Sequence, residues 1–403
     1  MKSRKLFLLV LLFFPLTFGF ASKAEKDFIK GSISEKIALI PTLNSTDLLK
    51  VAQKGLDFSI ENAATLEYDE ELSALALACV NAFPTEESKL RQFNEEQSLK
   101  ITEKFIAIFR LFKNRDLRLA IMEKLPAYSQ KNKRLVVTFL NDYLATAFKS
   151  NEDGNNVLES AITLLGEVGD KESLSIVFNI WQKKIWPEYK AAIDKSLILL
   201  SQDSFSDVIR IFSACTIDDS AYYFTLLKKS ETISKNFLCQ VAETALLIII
   251  NNAENLKIKD KNARSSLTSF QIEAQSFLAE NKWSHAAPVV NSNVLLAKKA
   301  YDQKMMSEKE FVTIISTAVQ IPSSQLAQSL TDILSDCNKK AESSSSKADE
   351  DGFPAKSVVL ALISALGVLG DKTAFDTLLY VTYCSYPIDV VDEAKKSLSM
   401  LQW

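Results

Sequence analysis

Glycine and proline are scarce in this chain, with nine of each among 403 residues. Both residues mark turns and interrupt regular helices, and alternating strand patterns are rare as well, so the composition favours an all-α protein. A chain of this length exceeds what one hydrophobic core usually fills. The composition therefore predicts several helical domains or one extended helical array.

Histidine is nearly absent, since His285 is the only one. A Ser-His-Asp or Cys-His site would have to use it, and no Gly-x-Ser-x-Gly elbow supplies the serine. No CxxC or HExxH pattern offers zinc ligands, and no GxGxxG or GxxxxGK loop could cradle a phosphate. The sequence thus indicates no catalytic residue, no metal site and no cofactor.

Cysteine is sparse and its number is odd, which leaves at least one thiol unpaired. The first and third cysteines lie within apolar helical patterns, where they are interpreted as small buried hydrophobic residues. No disulfide framework is expected. The five cysteines are Cys79, Cys215, Cys239, Cys337 and Cys384.

The N-terminal segment has the composition of a secretory signal. Lys2, Arg4 and Lys5 precede an apolar run over residues 6–20, and small residues lead to a cleavage position after Ala21. Residues 1–21 are therefore predicted to be a signal peptide. An uncleaved anchor that keeps residues 6–20 is the alternative, although the run is short for a membrane span.

Charge and hydropathy restrict the partners of the exported chain. Removal of the predicted signal leaves 44 basic and 50 acidic residues, a net charge of −6. This mild acidity argues against nucleic acid as a partner. No later apolar run reaches the length of a membrane span, so none is expected after signal removal.

Apolar residues recur with helical spacing through most of the chain. Residues 22–41 show no strong period, whereas Gly55 is expected to weaken or end an early helix and Pro126 to terminate a later one. Residues 339–352 include four consecutive serines and no apolar residue larger than alanine, which predicts a disordered polar loop. It would interrupt a helical-repeat array that covers residues 22–338 and continues over 353–403.

One segment occurs twice. Residues 164–172 recur as residues 365–373, with five of nine residues identical at an offset of 201. Further downstream, Lys195-Ser196-Leu197 recurs as Lys396-Ser397-Leu398 at the same offset, and each copy has an aromatic-Pro pair in between. A shared unit of about 40 residues is the length of two helices in a helical repeat.

The repeated motif has a local structural explanation. In both copies the first glycine lies near a predicted helix end, where positive φ lets the chain turn, and the second glycine forms a tight link. The aspartate is placed to cap the next helix, and the proline to begin a later one. The motif residues are Gly166, Gly169, Asp170 and Pro187 in the first copy, and Gly367, Gly370, Asp371 and Pro387 in the second.

Aromatic residues are interpreted as packing residues rather than as a ligand cage. Trp186 and Tyr386, which precede the two prolines, are expected to pack between the helices of a unit. The run Tyr222-Tyr223-Phe224 is expected to lie partly in the core and partly at the surface.

The Leu-Gly-x-x-Gly-Asp pattern, with a helix on either side, resembles the HEAT family, especially its bacterial HEAT-like repeats. The likeness is specific over residues 157–201 and 353–402, and the offset of 201 fits five units of about 40. It implies an α-solenoid of stacked antiparallel helix pairs. By this resemblance, the second helices of the pairs, including residues 157–165, 188–200 and 390–401, would line a concave inner face.

The leading hypothesis is an exported, non-enzymatic helical-repeat scaffold that binds a protein or peptide along the concave face. The periplasm is the expected location, and the cell exterior is the alternative. Two other functions stay open. One is an enzyme of unrecognised type with carboxylates in a groove between helices, and the other is a membrane-tethered scaffold with an uncleaved N-terminal anchor.

Overall fold

A computed structural model of the chain describes residues 22–65, 70–150, 154–202, 204–252, 261–343 and 353–402. Every regular element within these ranges is a helix, and none of them contains a strand. The prediction of an all-α protein is confirmed. The chain divides into two compact units, with the boundary between Gly169 and Asp170.

The first unit consists of helices that pack on near neighbours in the chain. Helix α3 packs on α1, α4 and α6, while α7 packs on α4, α6 and α8. The bounds are α1 Lys23–Lys30, α2 Ile33–Leu39, α3 Ser45–Asn62, α4 Glu70–Ala82, α5 Glu87–Leu90, α6 Glu95–Leu111, α7 Arg115–Ser150 and α8 Asn156–Val168.

Two short helices lie where the sequence shows no strong apolar period. Both begin with a capping box, in which the serine side chain accepts from the backbone of a glutamate three residues later and the glutamate accepts in return. Ser22 and Glu25 cap α1 in this way, and Ser32 and Glu35 cap α2. The Ser-x-x-Glu spacing was therefore the signal for helices within residues 22–41.

Gly55 does not weaken or end its helix, in contrast to the expectation. It lies buried within α3, and a β-carbon added there would overlap Sγ of Cys79 on α4 and come within 3.2 Å of Phe28 on α1. The glycine therefore allows three helices to approach closely.

Pro126 does not end a helix either, because α7 continues through it to Ser150. The helical geometry is interrupted six residues later at Asn132, with φ −129° and ψ 33°. The Asn132 side chain donates to Ser98 and Thr102 on α6, at 3.3 and 3.4 Å. The proline predicted a helix end at position 126, but the interruption occurs at Asn132, where the side chain bonds to α6.

The second unit is a longer series of helices joined by short turns. Short 3₁₀ turns cover Pro187–Tyr189, Ser284–Ala286 and Lys372–Ala374. The α-helices are α9 Lys171–Gln182, α10 Lys190–Ser201, α11 Phe205–Ala214, α12 Ile217–Lys228, α13 Lys235–Asn252, α14 Lys261–Glu280, α15 Ala287–Asp302, α16 Glu308–Ala318, α17 Ser324–Ser343, α18 Lys356–Leu369, α19 Phe375–Val381 and α20 Ile388–Ser399.

Packing in the second unit follows a period of two helices. Each helix from α9 to α18 packs on the helix two positions further along the chain, from α9 on α11 to α18 on α20. In chain order, the repeated segments comprise α8 to α10 and α18 to α20, ten helices apart in the described ranges. The offset of 201 residues therefore spans ten of the described α-helices, α8 to α17.

Two predicted segments lie wholly or partly outside the described residues. The predicted signal peptide, residues 1–21, is one of them. Of the predicted polar loop at 339–352, residues 339–343 form the last turn of α17, because the helix continues to Ser343. Residues 344–352 are not among the described residues.

Candidate binding cleft

A cleft of about 340 Å³ opens in the second unit where the end of α9, the α9–α10 turn, α10 and the first half of α12 meet. Its size falls within the range of small-ligand and side-chain pockets. Five of its ten lining residues are aromatic or aliphatic, and the other five are polar or charged. The lining residues are Trp181, Gln182, Lys184, Ile185, Pro187, Lys190, Ile193, Asp218, Asp219 and Tyr222.

The α9–α10 turn forms one wall and has an unusual backbone. Lys184 and Trp186 both adopt left-handed conformations, with φ of 54° and 55°. The amide of Ile185 donates to the carbonyl of Ile180 and that of Lys184 to Trp181, the pattern of a Schellman motif. Trp186 is 4% exposed and thereby anchors the turn in the core.

Aromatic stacking connects α12 to α9. The ring of Tyr222 stacks on Trp181, with centroids 5.4 Å apart and an angle of 29°. The next residue, Tyr223, lies 5.5 Å from Phe178 and is fully buried, as is Phe224. The expected division of the aromatic run between core and surface is confirmed, because Tyr222 alone of the three is exposed, at 37%.

Charged groups of the cleft lining take part in two sets of contacts. Lys190 forms an ion pair with Asp194 and lies over the Tyr222 ring, 4.5 Å from its centroid. The Tyr222 hydroxyl donates to the same Asp194 carboxylate at 2.9 Å. Asp219, which also lines the cleft, accepts from the Gln182 amide at 3.3 Å. Lys190 is thus already neutralised, while the carboxylate of Asp219 is bonded to an uncharged group.

The first glycine of each repeated motif has a different role from the predicted one. Gly166 and Gly367 lie buried inside α8 and α18, and neither has a positive φ. At Gly367 a β-carbon would lie 2.6 Å from Oγ and 3.0 Å from Cα of Ser397. Position 367 therefore requires glycine because α18 approaches α20 closely there, and not because the chain turns.

The second glycines differ from each other. Gly370 caps α18 with φ 65°, as expected for a glycine after a helix, whereas Gly169 ends α8 in an extended conformation, with φ −67° and ψ −175°. Their amides donate to the carbonyls of Leu366 and Leu165, respectively. The link predicted at the second glycine thus takes a left-handed conformation in one copy only.

The aspartates and prolines of the motif lie at helix starts. Asp170 caps α9 by accepting from the amides of Glu172 and Ser173, and Asp371 accepts from Thr373 at 3.0 Å. Pro187 begins the 3₁₀ turn before α10, and Pro387 is the N-cap residue of α20. Of the eight motif residues, Pro187 alone lines the cleft.

The histidine and the cysteines are not among the residues that line the cleft. His285 is exposed, and its Nδ1 is 3.4 Å from a carboxylate oxygen of Glu243, which also accepts from the Trp283 indole at 2.8 Å. The five thiols are unpaired. Nowhere in the described ranges do three or more histidine, cysteine, aspartate or glutamate side chains cluster as a metal site would require.

Comparison with models of known protein families and with curated proteins gives no match. Among the helices that the structure describes, none combines the length and the apolar character that a membrane crossing needs.

The sequence contained only a weak signal for the cleft. Trp181 and Trp186-Pro187 stand close together, but their spacing does not show that one ring is exposed and the other buried. Tyr222 and Trp181 are 41 positions apart in the chain, and the packing of α12 on α10 brings them together. Such a contact requires the tertiary arrangement.

Proposed function

We propose that the protein is an exported, non-enzymatic scaffold of HEAT-like helical repeats that binds a segment of another protein in the cell envelope. The observation that carries this proposal is the cleft between α9, α10 and α12. Its stacked Trp181 and Tyr222 are of the residue types that contribute most to protein interfaces. Rings of this kind give a large contact area with little loss of side-chain entropy.

The packing order of the second unit supports the repeat interpretation. A period of two helices is what stacked helix pairs produce, since each pair contacts the pair before and the pair after it. The five pairs between the repeated segments give about 40 residues a pair, as in HEAT-like units. In that family the second helix of each pair tends to line the inner face, and α10 and α12 are both second helices.

Site-specific photocrosslinking in intact cells tests the proposal. The photoreactive residue p-benzoylphenylalanine would replace Lys184, an exposed residue at the rim of the cleft. Lys304 is a matched control, because it is also exposed and has φ 55° in the turn after α15, outside the cleft. Mass spectrometry would then identify the crosslinked peptide.

The expected result is one defined peptide of an envelope protein that crosslinks at position 184 and not at position 304. Replacing Trp181 by alanine should abolish the crosslink, because it removes the ring on which Tyr222 stacks. The same products from both positions, or none from either, would contradict a role for the cleft in partner binding.

Export rests on the N-terminal sequence and needs its own test. Determination of the N-terminus of the protein purified from cells should give Ser22, as cleavage after Ala21 predicts. A chain that retains residues 6–20 would instead favour the tethered form of the scaffold.

A further inference from the structure

The chemistry of the cleft indicates which side chain of the partner enters it. We infer that the cleft binds a basic side chain, arginine above all, with the alkyl stem against the apolar wall and the cationic head at Asp218 and Asp219. This inference rests on the proposed function, since it takes the occupant to be a protein segment.

The charges of the cleft favour a cation. Two positive groups line it, but Lys190 is paired with Asp194, which leaves the exposed Lys184 as the remaining ammonium group. Asp218 and Asp219, in the first turn of α12, add two negative charges to the cleft lining. Counted with Asp194, the site has a formal charge of −1. A guanidinium would neutralise this charge and could bind both oxygens of a carboxylate.

The apolar part of the wall matches the rest of an arginine side chain. Ile185, Pro187 and Ile193 line the cleft together with the ring of Trp181. Long basic side chains bury their methylene stems on such surfaces while the charged head stays at a polar edge. A purely aliphatic side chain would offer the two aspartates no cationic partner, and an acidic side chain would be repelled by them.

Lys190 provides an example of the same recognition within the chain. Its ammonium group lies over the Tyr222 ring and pairs with a carboxylate, so one basic side chain is already held by an aromatic face and an aspartate. The cleft contains the same two elements a second time, an aromatic ring at Trp181 and the carboxylates of α12, and the hydrogen bond to Asp219 comes from the uncharged Gln182.

Two blocked peptides that differ in charge alone test the inference. Isothermal titration of the full-length mature protein with Ala-Leu-Arg-Leu-Ala would be compared with the same peptide containing citrulline, the neutral analogue of arginine. We expect about tenfold tighter binding of the arginine peptide, the effect of one charge-assisted contact. The preference should shrink as salt concentration rises.

Variants locate the effect. Asp218→Asn combined with Asp219→Asn should remove the preference for arginine, whereas Asp332→Asn, an exposed carboxylate on α17, should leave it unchanged. Equal affinity for both peptides, no binding of either, or a preference that survives the double substitution would overturn the inference.

The two proposals fail separately. If position 184 crosslinks to a defined peptide that has no arginine or lysine near the crosslinked residue, the cleft still binds a partner but the inferred occupant is wrong. If no defined peptide is crosslinked, the proposed function itself fails.

Discussion

The side-chain amide of Asn293 donates a hydrogen bond to Oε1 of Gln275 at 2.7 Å, in a region of the second unit where neither residue is exposed to solvent. Gln271 donates in turn to Asn293, and Gln275 donates to the carbonyl of Ile314 at 2.7 Å and to Thr317. The amides therefore form a directed chain that connects α14, α15 and α16. Buried polar groups of this kind are stabilising when all are satisfied and costly when one is removed.

Replacing Asn293 by leucine should destabilise the second unit strongly. The substitution keeps the branching and the number of side-chain heavy atoms but leaves the Gln271 donor and the Gln275 acceptor without their partner, which costs roughly 2–5 kcal/mol in total. Urea unfolding followed by circular dichroism measures the change. Ser292→Ala, at the exposed neighbouring position, should stay within about 0.5 kcal/mol of the parent. A loss equally small for Asn293→Leu would show that the network is not important for stability.

The close contact of Gly55 with Cys79 predicts a compensating pair of substitutions. Gly55→Ala alone should destabilise the first unit by roughly 1–3 kcal/mol, because the added methyl group overlaps the Cys79 sulfur. Removing that sulfur by Cys79→Ala should restore most of the loss. Urea unfolding of both single variants and the double variant gives the coupling free energy.

This pair distinguishes overlap from helix propensity. Alanine is a better helix former than glycine, so Gly55→Ala would stabilise α3 by about 1 kcal/mol if packing were unimportant. A stabilising effect of Gly55→Ala, or no coupling with Cys79→Ala, would show that α3 and α4 can move apart at this point at little cost.

Lysine occupies a position at three helix ends where glycine is usual. Lys184, Lys282 and Lys304 follow α9, α14 and α15 with φ between 49° and 55°, and the next residue closes a Schellman motif in each case. A left-handed conformation costs a non-glycine residue about 1–2 kcal/mol. Lys304→Gly should therefore raise the free energy of unfolding by about 0.5–1 kcal/mol, after the added entropy of the unfolded glycine is counted.

A glycine substitution five residues earlier is expected to have the opposite effect on stability. Lys299 is exposed and lies within α15, so Lys299→Gly should lower stability by about 1 kcal/mol. Thermal unfolding of the two variants side by side tests the pair. Destabilisation by both glycines would mean that the lysine side chain at position 304 makes a stabilising contact that outweighs the backbone strain.

The all-α fold class was predictable from features that extend along most of the chain. Glycine and proline are scarce, and apolar residues recur with helical spacing. The role of individual glycines was not predictable. Gly367 and Gly370 are three residues apart in one motif, yet the first allows contact with Ser397 and the second a left-handed cap. Sequence shows that glycine is present, but which of its two properties is used depends on the distance to another helix.

Local chemistry was predictable where it acts within a few residues. Asp170 and Asp371 cap their helices as their positions indicate, because an N-cap needs only the following turn. The cleft was beyond such reasoning, since Tyr222 reaches Trp181 through helix packing. The left-handed lysines were also missed, because the Schellman pattern is usually recognised by its glycine.

The buried thiols predict low reactivity and a loss of stability in alkali. Burial raises the pKa of Cys79 from 9.0 to about 12 and that of Cys337 to about 11. In the unfolded state these thiols lose their protons near pH 9. Between pH 9 and the raised pKa values the unfolded state therefore binds fewer protons than the folded state does. The free energy of unfolding consequently falls as pH rises from about 9 towards 12, and is unaffected by these groups below that range.

Alkylation with iodoacetamide at pH 8, mapped by mass spectrometry, measures the same property directly. Cys79 and Cys337 should react far more slowly in the folded protein than in urea, because the thiolate is the reacting species and burial disfavours it. Cys79→Ala should also make the decline in stability between pH 9 and 12 less steep, since one raised pKa is removed. Equal alkylation rates in the folded and unfolded protein would show that α3 and α4 open often enough to expose the thiol.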